Sequence, residues 1–399
     1  MYAVPDTRSL PQELCDLIID ELRRDKTTLR SCTLVSQAWV FSARRYLFAN
    51  IVRRVHQGVE DFLYFLCSAP LSVVLNLRIL TLTGRGHVHL RDLAAVLNRL
   101  PSLSHLYLRW ITVEKTHGAL ITTSPPTACR VHTLGLSHIL LSTWTLQLIL
   151  LYIHPSELIM TPTCKRTSSW NADPIPPAPP HEPQLSHDEL IALSAGLNIH
   201  KADIHDAELV ALTMQRFPVP LTFSAVVFYR FKADAVTYAK TILKTCGTKL
   251  TSLTLYPSTT GNEAPIGRLL GLDGCPHIEH FALTTLDLYP TIGLVESALA
   301  EIFKNSTRTE GIDFQLTCPD ISFGAPGGAG ALDKVLGKYV PSQIRMVTIR
   351  LHQKAPGFGA EDRRQQYPVV IKLPSKDRQD AMRAMMRQVT RSAALRFSI

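Results

Sequence analysis

Two histidine pairs, His87-x-His89 and His277-x-x-His280, have spacings at which two imidazoles can reach one metal ion, but no CxxC or ExxH lies near either. Hydrogen-bonded or solvated histidines are therefore expected at all four positions. The run Gly324-Ala325-Pro326-Gly327-Gly328-Ala329-Gly330 invites comparison with a phosphate-binding loop. The required GxxxxGK[ST] is missing, since Gly337-Lys338 is followed by Tyr339. A connecting loop is expected there. There is no GxSxG elbow, and local sequence marks out no Cys and His pair for nucleophilic chemistry. No catalytic, cofactor-binding or metal-ligating residue is nominated, and the chain is expected to bind rather than to catalyse.

Composition sets the next bounds. With 399 residues, 46% of them hydrophobic, the chain is long enough for a sizeable core and for two or three domains. Its eight cysteines are scattered, none in a CxxC pair, and most lie in apolar runs, which points to a reducing, intracellular compartment. The opening MYAVPDTRSLPQEL has no basic region leading into an apolar block, so no secretory signal is expected. The longest apolar run, Ile139 to Ile153, is interrupted by Ser142, Thr143, Thr145 and Gln147 and falls short of a membrane span; a buried helix is expected. The net charge of +9 is concentrated at the C-terminus, where residues 341–399 hold 12 Lys or Arg against 4 Asp or Glu. A general nucleic-acid-binding character does not follow, although a local basic patch remains open.

The elements that carry the binding begin at Leu10-Pro11. Leu14, Leu17, Ile18 and Leu22 recur at helical spacing, with Pro at the helix start where its missing N–H costs nothing. Asp25-Lys26-Thr27-Thr28 breaks the pattern, a second helical stretch holds Leu29, Cys32, Leu34 and Val35, and a third runs from Trp39 to Phe48. Three short helices bury little surface alone and need a partner or a neighbouring domain.

The ordered phrases Leu10-Pro11-x-Glu13-Leu14, Ile18-Ile19-x-x-Leu22, Cys32-x-Leu34-Val35-Ser36-x-x-Trp39 and Leu47-Phe48 resemble an F-box, of the kind abundant in mushroom-forming fungi. The family often closes with a second Trp where this chain has Phe48. The resemblance implies docking to a Skp-type adaptor and, through it, to a cullin-RING ubiquitin ligase. The residues it assigns to that contact are Leu10, Pro11, Glu13, Leu14, Ile18, Leu22, Cys32, Leu34, Val35 and Trp39.

Beyond residue 75 an apolar-x-apolar triplet recurs after a helical stretch. The triplets begin at Leu80, Leu106, Leu134, Leu158, Leu197, Val226, Leu253, Phe281, Ile312 and Val347. Helix, turn, strand in that order stacks parallel strands beside a helix layer. The pattern resembles an irregular leucine-rich-repeat solenoid, although the strict LxxLxLxxN phrase is absent; an ordinary α/β domain is the alternative.

The expected fold is α/β: an F-box-like helical module over 1–55, then a leucine-rich-repeat-like solenoid with a parallel sheet over 56–160 and 188–374. Residues 161–187, with seven prolines, interrupt it as an inserted loop. In 375–399, Met382, Met385, Met386 and Val389 stripe one face of a basic helix. A cap over the last repeat is expected there, with nucleic acid, lipid or an acidic protein as the alternative ligand. The expected function is substrate receptor of a Skp/cullin/F-box ubiquitin ligase, binding an unidentified target through the solenoid. The alternative is a ligase-independent scaffold whose helices only cap the solenoid.

Overall fold

The start of the second helix is decided at Asp25. Its carboxylate accepts hydrogen bonds from the backbone N–H groups of Thr27 and Thr28, both at 3.0 Å, and from the Thr28 hydroxyl at 2.6 Å. Asp25-Lys26-Thr27-Thr28 is therefore a helix start, and the polar stretch read as an interruption is an N-cap. In the computed structural model α1 spans Gln12–Glu21, α2 Lys26–Val35 and α3 Gln37–Leu47. The described residues are 10–54, 59–114, 128–161, 165–166, 187–231, 235–257, 272, 275–285, 311–318, 346–353 and 369–373.

Ile19, Leu29, Cys32 and Ala43 form the buried centre of the three helices, with Leu22, Trp39, Tyr46 and Leu47 packed against it. Polar bonds close the same contact. The Gln12 side-chain amide donates to Asp16 (2.8 Å) and to the Ala38 carbonyl (3.3 Å), Ser42 donates to Asp16, and the Tyr46 hydroxyl donates to Asp20.

The chain makes two compact units, Met1–Ile159 with Thr163–Leu197 and Met160–Pro162 with Asn198–Ile399. The helical module belongs to the first. Inside the segment 1–55, α3 leads at once into strand β1 (Asn50–Arg54), which is already part of the sheet and pairs in parallel with β2 (Ile79–Thr83). Helices α4 (Glu60–Ser68) and α5 (Leu71–Val74) intervene, and α3 packs on α5.

Strand β2 then pairs with β4 (His105–Arg109), and β4 with β6 (Cys129–Ser137), again in parallel, with β8 (Ile153–Met160) next in order. Short strands β3 (His87–His89) and β5 (Thr112–Glu114) form a separate parallel pair, as do β7 (Leu140–Leu141) and β9 (Lys165–Arg166). The latter places two residues of the expected insertion in a strand; most of that segment lies outside the described residues. Helices α6 (Leu90–Leu97), α7 (Thr143–Tyr152) and α8 (His187–Ser194) pack in succession. Thr145 to Tyr152 are all buried, as expected of the long apolar run.

In the second unit β10 (Lys201–Ile204), β11 (Ala225–Phe231), β12 (Ser252–Pro257), β13 (His280–Thr285), β14 (Gly311–Cys318) and β15 (Met346–Gln353) run in parallel; β16 (Val369–Leu373) joins the edge antiparallel. Helices α9 (Ala207–Met214) and α10 (Val236–Cys246) pack on each other. The triplet expected at Leu197 is not a strand. The strand begins at Lys201, because Ala202 and Ile204 are the pair that falls in register with Val226 and Phe228.

The repeat is a backbone fact as well as a sequence phrase. One carbonyl ahead of each strand accepts two successive N–H groups from the next unit, at 2.8–3.0 Å: Ala49 from Arg78 and Ile79, Arg78 from Ser104 and His105, and Ser104 from His132 and Thr133. The second unit repeats this at His200, Ser224 and Thr251. Strands so joined align triplet on triplet. Leu80 faces Leu106 and Leu134, Leu82 faces Leu108 and Leu136, and all six are fully buried. Each such leucine contributes about 1.5–3 kcal/mol by leaving water.

Candidate interaction surfaces

Helix α1 carries more apolar surface than its own packing uses. Cys15 and Ile19 face the core, while Leu14 (46% exposed), Leu17 and Ile18 (40%) lie in solvent, with Leu10 exposed just before the helix. At the end of α2, Leu34 is 87% exposed beside Val35, and Phe41 is exposed on α3. The bond from Gln12 to the Ala38 carbonyl brings the start of α1 to the α2–α3 junction, so Leu34 and Val35 belong to the same end of the module as Leu10 and Leu14.

Among the residues assigned to adaptor contact, Leu10, Pro11, Glu13, Leu14, Ile18, Leu34 and Val35 are on this surface. Cys32 is buried in the module's centre, 6% exposed, and Leu22 and Trp39 pack against that centre, so these three serve packing. Leu17 and Phe41 are exposed too, although the resemblance does not assign them. Leu17 was legible from its place at i+3 from Leu14, on the same helical face.

A second surface lies on the sheet of the first unit. Tyr107 on β4 lies across Gly135 on the neighbouring β6; a Cβ at Gly135 would meet the Tyr107 Cδ1 at 2.2 Å, so only glycine admits the ring. The Arg109 guanidinium sits 5.7 Å from the centre of the Tyr107 ring. Just past the strand ends, Trp110 and His138 stack with centroids 3.8 Å apart and planes 8° from parallel. Both have left-handed backbones, φ 60° and 55°, a conformation unfavourable for bulky side chains. Gly84 holds the equivalent place after β2, with φ 136°: the Gly84 N–H donates to the Arg109 carbonyl just as the Trp110 N–H donates to that of Ser137.

The second unit bears a different row at its strand ends. His205 stacks on Tyr229 at 4.2 Å, and Tyr229 on Tyr256 at 4.5 Å. Burial, helped by the charge of nearby Asp203, pushes the Tyr229 hydroxyl well above its ordinary value, so it stays a neutral donor. Lys201 lies 3.5 Å from Asp203 on the same strand.

Burial quenches three of the described cysteines. Cys129 and Cys275 are pushed up to about 11 and Cys246 to about 12, leaving thiols where a nucleophile would need thiolate. His154 is buried on β8 and held below its ordinary value by desolvation. Of the histidine pairs, His87 and His89 lie on β3, His277 in a turn and His280 at the start of β13. Among the described residues no three His, Cys, Asp or Glu side chains come together as a metal site, and no helix is long and apolar enough to cross a membrane. The glycine-rich run 324–330 and the basic stretch 375–399 lie outside the described residues.

No protein-family model matches the chain, and no curated protein matches it significantly. Among solved structures it is similar to the leucine-rich repeat-containing protein LegL7 from Legionella pneumophila, with 11% identity and a TM-score of 0.35 over 76% of this chain and 91% of that one.

Proposed function

We propose that this chain is a non-catalytic receptor: its helical module docks to a Skp-type adaptor and through it to a cullin ligase, while the sheet surfaces hold a target protein. The observation that carries this is the apolar surface formed by Leu10, Leu14, Leu17, Ile18, Leu34 and Val35 on a module whose centre is already closed by other residues. Exposed apolar side chains grouped at one end of a small module are costly in water and are usual where a partner covers them. The ordered F-box-like phrases supply the identity of that partner. Holding a target beside the ligase raises the effective concentration of its lysines, and transfer is catalysed elsewhere.

A second reading, a scaffold independent of any ligase, is favoured by one specific feature. Helix α3 packs on α5 and runs straight into edge strand β1, so the module also covers the end of a sheet. The two readings use different faces, which makes them separable.

Leu14→Asp and Leu34→Asp in the full-length chain are expected to abolish capture of the adaptor in pull-down and leave the unfolding midpoint unchanged, since both side chains are exposed. Undiminished capture, or no capture by the parent chain, would leave the scaffold reading in place.

A further inference from the structure

We infer that the strand ends of the first unit form a receptor for an acidic peptide segment, with Arg54 and Arg109 taking its carboxylates and Trp110 its apolar side chain. The inference rests on the target-binding half of the function proposed above and is independent of the adaptor.

Charge is the first argument. Strands β1, β2, β4 and β6 contain Arg53, Arg54, Arg109 and Arg130 and no Asp or Glu. The register aligns Arg54 with Thr83 and Thr83 with Arg109, so the two arginines flank Thr83 on one face. Two inter-strand spacings separate them, about 10 Å, and the long arginine side chains can close on carboxylates at i and i+2 of an extended acidic segment, about 7 Å apart on one face. Both are exposed, and Glu157 on β8 lies beside Thr133 at the other end of the strands.

Pre-organisation is the second. Gly135 admits the Tyr107 ring and Tyr107 lies beneath the Arg109 guanidinium, so part of the cost of ordering a long side chain is met before a ligand arrives. Tyr107 and Gly135 are positioning residues. Strain is the third. An aromatic residue is held in left-handed backbone at both Trp110 and His138, where Gly84 fills the same place without strain; the ring pair leaves Trp110 53% exposed. Such outliers concentrate at binding sites. Single-stranded nucleic acid would also suit arginines, but it uses successive stacking platforms. Here His138 covers one face of Trp110, leaving a single aromatic face.

The test is fluorescence anisotropy of the full-length chain with a labelled peptide of alternating Glu and Gly around a central Tyr. Controls are the same peptide with Lys for Glu, and a labelled oligo-thymidine. The acidic peptide is expected to bind, more weakly as salt rises, and the lysine peptide not to. Arg109→Glu should weaken binding roughly tenfold or more, the effect of losing a charge-assisted contact. Trp110→Gly should weaken it without lowering the thermal midpoint, because glycine suits that backbone. Tyr107→Ala should weaken it and Tyr107→Phe restore it. No binding, equal binding by Arg109→Glu, or preference for oligo-thymidine would each overturn the inference. A parent chain that captures the adaptor but not the acidic peptide rejects this inference alone; the reverse result rejects the adaptor alone.

Discussion

In the helical module Leu14, Leu17, Ile18, Leu34 and Val35 stand in water around a centre of four buried residues, whereas on β2, β4 and β6 of the same unit the leucine pairs at positions 80/82, 106/108 and 134/136 are wholly buried. Leucine thus does two jobs within one unit. On the strands, period-two alternation and parallel register put every second side chain inside, and folding alone accounts for the residue type. In the module, folding accounts for Ile19, Leu29 and Cys32 but leaves Leu34 unexplained, and a residue that folding does not need is where a partner is to be sought.

The same truncation should therefore cost very different amounts in the two regions. Leu106→Ala should destabilise the first unit by about 2–5 kcal/mol in denaturant unfolding, while Leu34→Ala should fall within about 0.5 kcal/mol of the parent. Comparable losses would mean that Leu34 packs against something in the folded chain, and the contrast would collapse. Next in size is Gly135→Ala, which forces the Tyr107 ring aside and should cost about 1–3 kcal/mol. Gly196→Ala makes a useful partner, because its added Cβ would approach nothing nearer than the His154 Nδ1 at 3.3 Å; it should cost less than Gly135→Ala in thermal unfolding.

The smallest effect is one of acidity. Asp16 is held below the ordinary carboxylate value of 3.8 by hydrogen bonds from Ser42 and Gln12, and Asp25 by those from Thr28 and Thr27. A carboxylate whose folded value is depressed contributes stability that is complete above the unfolded value and is lost as pH falls through the folded one. Acidification below 3.8 should thus speed amide exchange in α1 to α3 before it does so in β2, β4 and β6, and Asp16→Asn with Asp25→Asn should remove that acid step. Equal acid sensitivity in both regions would show that these two carboxylates do not hold the module.

Much of the strand layer was legible because its signal is local. Two apolar residues separated by one position, after a helical stretch, suffice to mark β2, β4, β6, β11 and β12. The local signal failed at Leu197-Asn198-Ile199 for the same reason: it is as good a phrase as Ala202-Asp203-Ile204, and only pairing with Ala225–Phe228 chooses between them. A quieter signal was overlooked. Ser104, Ser224 and Thr251 each stand two residues before a triplet and donate their hydroxyls to the preceding unit's carbonyl. The module's surface was half legible. Helical spacing put Leu14 and Ile18 on one face, but Cys32 and Trp39 share the F-box-like phrase with Leu34 and Val35, and nothing in the phrase says which of them turns inward.

By itself the sequence determined that short helices precede a run of alternating strand and helix, because those periods are set by the backbone geometry of a few neighbouring residues. It also determined where apolar material is concentrated. Only the tertiary structure decided that β1 opens the sheet inside the segment assigned to the module, that Tyr107 lies on Gly135, and that Trp110 meets His138. These contacts join residues about one repeat apart or more, and they follow from strand register, which is a relation between segments and is written in neither segment alone.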